Sequence, residues 1–200
     1  MIDERFIIPA VIIGLVANLN YIYNTVKGRT KPNRVTWGLW TLIPIISFSA
    51  MLGKDVGITP LIATFMSGFV PLMTLGASFL DKNAFWKISR FDYICGLLSL
   101  VGVAGWLITS EGNYAIIFAI IADILASVPT VKKSFSFPET ESWPNYLGGA
   151  VSSFITLLTI KHWTFAAIAW PLNILVICSI LFVLIKFRVG PKLWPVAYKV

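Results

Sequence analysis

Asn18 to Trp37 reads NLNYIYNTVKGRTKPNRVTW, and Asp123 to Trp143 reads DILASVPTVKKSFSFPETESW. The second stretch restates the first. At an offset of about 105 residues, Ala17-Asn18 falls on Ala122-Asp123 and Thr25-Val26-Lys27 on Thr130-Val131-Lys132. One inserted residue then puts Pro32 on Pro138 and Trp37 on Trp143, and Val70-Pro71-Leu72-Met73 echoes Trp170-Pro171-Leu172-Asn173. Each copy runs apolar helix, basic connector, apolar helix. In a membrane protein such a repeat implies two like bundles with a cavity between them.

The composition around the repeat points to the bilayer. Hydrophobic residues make up 57% of the chain and charged residues 12%, with a mean hydropathy of +0.81. A soluble domain carries roughly a quarter charged residues. About 20 apolar residues are needed to cross the hydrocarbon layer as a helix. Seven segments meet that length: Phe6 to Val26, Val35 to Leu52, Ile58 to Leu80, Phe91 to Ser110, Asn113 to Val131, Trp143 to Ile160 and Trp163 to Ile185. The expected fold is therefore an all-α integral membrane protein with seven transmembrane helices, multi-pass in a bacterial-type cytoplasmic membrane. Phe6 to Val26 follows Asp3-Glu4-Arg5 and has no Ala-x-Ala site, so it reads as a retained helix. Cys95 and Cys178 fall inside helices, and no disulfide is expected.

Basic residues set the orientation. With the N-terminus outside, the cytoplasmic side receives Lys27, Arg29, Lys31, Arg34, Lys82, Lys87, Arg90, Lys132, Lys133, Lys186, Arg188, Lys192 and Lys199. The outer side receives Arg5, Lys54 and Lys161. That asymmetry follows the positive-inside rule and puts the C-terminus in the cytoplasm. The net charge of +7 then needs an anionic inner leaflet as partner, not nucleic acid.

The repeat unit is three helices, an odd number, so a linker helix must invert the chain before the second copy. The expected division is a 3+1+3 parallel repeat: residues 1–80 as the first bundle, 81–112 carrying the linker helix, 113–186 as the second bundle, and 187–200 as a basic tail.

Asp123 is the acidic residue well inside a span. A carboxyl at that depth is costly unless paired, hydrated or neutralised, which suggests a proton-coupling site, a substrate contact or a structural hydrogen bond. Counted at 1.5 Å per residue from the outer helix ends, Asn18, Asp123 and Asn173 all lie roughly 15–18 Å deep, near the midplane. Ser47 and Ser153, which are repeat mates, reach similar depth from the inner side, where packing between helices is an equal reading. Trp170 stands one turn from Asn173, placed to stack on a flat or sugar-like substrate. Pro129, Pro44 and Pro171 are candidate hinges or plain kinks, with Asn24 as the repeat mate of Pro129.

The repeat, the helix count and the orientation resemble the SWEET and PQ-loop superfamily of small-solute carriers across nearly the whole chain. Pro129-Thr130 is similar to the Pro-Gln pair of those families, where the first repeat has Asn24-Thr25. Trp170-Pro171-Leu172-Asn173 resembles the Pro-Asn element of the last SWEET helix, which implies that Asn173 contacts substrate; its mate, Met73, departs from the paired-asparagine pattern. The strings GRTKPNRVTW and PTVKKSFSFPETESW are similar to a bacterial branch of the superfamily. The resemblance also implies that a proline at the level of Pro129 lets an inner gate bend.

No enzyme signature is present. His162 is the single histidine and has no partner at metal-ligand spacing, there is no P-loop, and no lysine lies inside helix 7 to hold retinal. No cofactor or metal is expected. The expectation is an alternating-access carrier of a small polar solute, a sugar or compact metabolite, as a uniporter or coupled to protons through Asp123. The alternative is a receptor or sorting protein that uses the same fold without transport. A homo-oligomer is compatible with either.

Overall fold

The computed structural model of the chain describes residues 2–52, 58–80, 86–108, 112–161 and 163–194, and every regular element among them is helical. Seven long helices follow the apolar segments: α1 (Ile7–Val26), α2 (Arg34–Met51), α3 (Ile58–Ala77), α4 (Arg90–Ile108), α5 (Gly112–Ser136), α6 (Trp143–Thr159) and α7 (Phe165–Lys186). Two short 3-10 turns, Glu4–Phe6 and Pro138–Thr140, precede α1 and α6. α5 runs 25 residues, past its apolar segment and through Lys132 and Lys133. The basic tail holds a regular element within its described residues. It forms a short helix, α8 (Val189–Leu193), seated so that a Cβ on Gly190 would strike the Phe135 carbonyl.

The basic connectors fix the helix ends. α1 closes at Gly28, whose φ of 68° is a left-handed conformation that glycine adopts without a Cβ clash. The Gly28 N–H donates to Thr25 O at 2.9 Å. α2 opens at Asn33, whose Oδ1 accepts from Val35 N at 3.0 Å and Thr36 N at 3.3 Å, an N-cap for two otherwise orphan amides. The Asn33 amide nitrogen donates to Asp92 Oδ1 at 3.2 Å, which ties the start of α2 to the start of α4. Pro44, Pro71, Pro129 and Pro171 sit inside α2, α3, α5 and α7. Each removes one backbone hydrogen bond, yet all four helices continue through them.

α1 packs on α3 and α6, α2 on α3 and α5, α6 on α7, and α5 on α7 and α4, with α4 also touching α2. Exchanging α1 with α5, α2 with α6 and α3 with α7 maps the pairs among those six helices onto themselves. The two seams related by that exchange are built differently. Along α1–α6, Gly148 meets the Ala17 methyl and Gly14 lies beside Ser152, so the backbones approach closely. Along α2–α5, Thr36 Oγ1 donates to Ala126 O at 2.7 Å and accepts from Thr130 Oγ1 at 3.0 Å.

Many apolar side chains face outward, while the interior holds two apolar clusters, around Tyr21, Trp37, Tyr146 and Leu181 and around Leu39, Ile43 and Val103, together with a set of polar side chains. Val11 on α1, Val101 on α4 and Leu172 on α7 are 60%, 68% and 46% exposed, and Val176, Ile180 and Val183 continue the α7 stripe. Asn18, Asn33, Asp92, Asp123, Lys133, Glu141 and Asn173 are all buried. Among the described residues, two helical stretches are long and apolar enough to cross a membrane, Ile7–Val26 and Ala167–Lys186.

Candidate functional site

α5 and α7 pack together and bring two of the expected site residues into direct contact. Asn173 Nδ2 donates to Asp123 Oδ2 at 2.7 Å. Both side chains are buried, 4% exposed for Asp123 and 9% for Asn173. No lysine or arginine pairs with this carboxylate among the described residues. Trp40 of α2 turns its indole toward the same carboxylate, but its Nε1 is buried without a hydrogen-bond partner. Cys178, a turn beyond Asn173 on α7, neighbours Asp123 and packs against Gly149 of α6. The centre of the bundle is thus a carboxyl, an amide and an indole N–H drawn from three helices.

An open apolar groove of about 320 Å³ runs along the outer face between α5 and α7 and touches the centre at Asn173 alone. Ile120, Phe165, Ile168, Leu172 and Val176 line it, and Asn173 is the one polar residue in its wall. It lies toward the α7 N-terminus, the end away from the basic connectors.

The other expected residues fall elsewhere. Asn18 donates from Nδ2 to Asn145 Oδ1 on α6 at 3.4 Å, and its own Oδ1 is buried without a partner. Trp170 is half-buried one turn before Asn173, and Ser153 is half-buried on α6. The Ser47 side chain and His162 lie outside the described residues. Asn24 bonds within α1, from Nδ2 to Asn20 O at 2.9 Å, and its carbonyl accepts from Arg29 N at 2.8 Å. Pro129 is fully buried in α5. Pro44 and Pro171 are half-buried, and Pro171 lies two residues before Asn173. Among the described residues no group of three or more His, Cys, Asp or Glu side chains could hold a metal ion.

Sequence reasoning missed a second polar centre near the basic end. The Glu141 carboxylate pairs with the Lys133 ammonium, and the two side chains are 0% and 1% exposed. Tyr21 of α1 donates to Glu141 Oε2 at 2.8 Å and Tyr146 of α6 donates to the same oxygen at 2.9 Å. Lys133 also donates to the Lys31 carbonyl in the first connector. The signal in the sequence is the pair Glu139 and Glu141 in the connector that follows Lys132-Lys133.

Comparison with protein-family models, curated proteins and solved structures finds no match to this chain.

Proposed function

We propose that the chain is a multi-pass membrane protein whose seven long helices cross the bilayer, and that it carries a small polar solute by alternating access. The observation that carries this reading is the breadth of the exposed apolar surface around a buried polar pair. A buried carboxyl–amide pair lies at the centre of a bundle whose outer surface is continuous with exposed Val, Leu and Ile. In water such a surface is an association hazard, whereas in lipid it is the solvated face. The seven helices run from 17 to 25 residues, the lengths a bilayer crossing requires. The basic connectors meet at one end, where Lys31 N donates to Thr140 O at 2.8 Å and Trp86 N to Pro32 O at 3.2 Å. That end is assigned to the cytoplasm.

The exchange symmetry of helix neighbours supports two three-helix bundles with α4 as the linker, the arrangement of SWEET and PQ-loop carriers. Asp123 and Asn173 are the proposed substrate contacts, with Trp40 added to Asn18 and Trp170 behind them. Asp123 has an oxygen and Asn173 an amide to offer a hydroxyl-bearing solute, and the absence of a paired cation suits proton exchange at Asp123.

Uptake into proteoliposomes tests the proposal. Saturable flux of a sugar or compact metabolite that falls in Asn173→Ala supports it, and ligand binding without flux would favour a receptor on this scaffold. Flux unaffected by Asn173→Ala and Asp123→Asn would refute the site.

A further inference from the structure

Near the basic end, a cavity of about 190 Å³ opens between the α3–α4 connector, the start of α4 and the end of α5. Its volume is several times what one ordered water needs. Lys87, Lys132 and Lys133 line it, with Ser136 at the α5 terminus. Trp86 and Phe137 form a wall, with ring centroids 5.2 Å apart, and the Lys133 ammonium lies 5.6 Å from the Trp86 ring.

The lining also includes Asp92, whose carboxylate is already engaged. Its Oδ1 accepts from Asn33, and its Oδ2 accepts from Ser89 N at 2.6 Å and Ser89 Oγ at 2.8 Å. Glu141 is taken up by Lys133 and the two tyrosines. Lys133 is thus neutralised by Glu141, and the Lys87 and Lys132 ammonium groups face one lining carboxylate, Asp92, already committed to Asn33 and Ser89; the balance is positive, with Lys31 adding to it. Lys87 and Lys132 are exposed and enter no ion pair among the described residues, so their charges are available to a ligand. Lys132 is also held in place over the Phe91 ring, at 4.1 Å from its centroid.

We propose that this cavity is a binding site for a phosphoryl group, separate from the Asp123–Asn173 centre and independent of the carrier reading. Flexible ammonium groups and a hydroxyl suit the several oxygens of such a group. The Trp86–Phe137 wall suits the glycerol carbons of a phospholipid head or the body of a soluble phosphoester. The headgroup of an anionic lipid and a free phosphate share this chemistry.

The test uses the full chain in neutral-lipid nanodiscs, titrated calorimetrically with inorganic phosphate at constant ionic strength, and in parallel in nanodiscs containing phosphatidylglycerol, with retained lipid read by native mass spectrometry. Lys87→Gln/Lys132→Gln is compared with Lys27→Gln/Lys192→Gln, which removes equal charge from exposed positions that do not line the cavity. The expected result is saturable binding of at least one probe, weakened about tenfold or more by the first variant and unchanged in the second, the scale of one lost charge-assisted contact. Binding of phosphate identifies a soluble anion as the occupant, and retention of phosphatidylglycerol alone identifies a headgroup. Saturable binding of neither probe, equal loss in both variants, or loss in neither overturns the proposal.

Discussion

Replacing Glu141 with Gln tests the second polar centre, because it changes a charge and little else. Glu141 and Lys133 are 0% and 1% exposed, so water cannot compensate an ammonium left alone there. The tyrosine hydroxyls of Tyr21 and Tyr146 could still donate to the amide oxygen, which leaves the lost ion pair as the main cost. Breaking one partner of a buried pair costs about 3–5 kcal/mol. At about 2–4 °C per kcal/mol for a chain of this size, the unfolding midpoint should fall by about 6–20 °C. Tryptophan fluorescence in a thermal ramp reads it directly. Lys133→Met should also destabilise, and the double variant should lose much less than the sum, since neither charge is then stranded. A single-variant loss below about 1 kcal/mol, the range of a solvated surface pair, would refute the argument. Strict additivity of the two changes would refute it equally.

Asp123→Asn retains an oxygen for the Asn173 amide, so its stability should stay within about 1 kcal/mol of the parent while proton-driven uptake is lost; thermal shift and a pH-gradient uptake assay check the two halves. Gly148→Val should cost about 1–3 kcal/mol or more because its Cβ overlaps the Ala17 methyl, whereas Gly76→Ala, with open space around it, should be neutral or stabilising by unfolding midpoint. Asn33→Ala should cost about 2–4 kcal/mol, through the lost N-cap and the lost bond to the Asp92 carboxylate, and Asn33→Ser should recover only the cap's share, about 1 kcal/mol, by the same measurement. In a background without Cys95 and Cys178, Val101→Cys should resist a water-soluble maleimide in membranes and Lys192→Cys should react.

The helices themselves were legible in the chain, because apolar length and the turn residues of the connectors set them. Gly28 and Asn33 mark the ends of α1 and α2 in sequence and in space. α5 outran its apolar segment because hydropathy marks where lysines begin, not where the backbone stops being helical; Lys132 and Lys133 are good helix formers. Depth along the helix picked out both Asp123 and Asn173, but only rotation about the helix axes decides what touches what. That rotation joins Asn173 to Asp123 and turns Asn18 to Asn145. Glu141 was the harder case. A glutamate in a polar connector reads as solvated, and its burial depends on tyrosines from α1 and α6 converging across 120 and 5 residues of sequence.

The unlike seams have a mechanical consequence. Gly148 against Ala17 is a contact of shape, which holds at one separation and loses about a quarter to a half of its dispersion energy within an ångström of opening. The Thr36–Ala126 and Thr36–Thr130 bonds are directional instead, and hydroxyls can exchange such partners for water or substrate as helices part. On the proposed carrier reading the two bundles need not share the work evenly: the α1–α6 side is suited to act as an axle and the α2–α5 side as the leaf that swings.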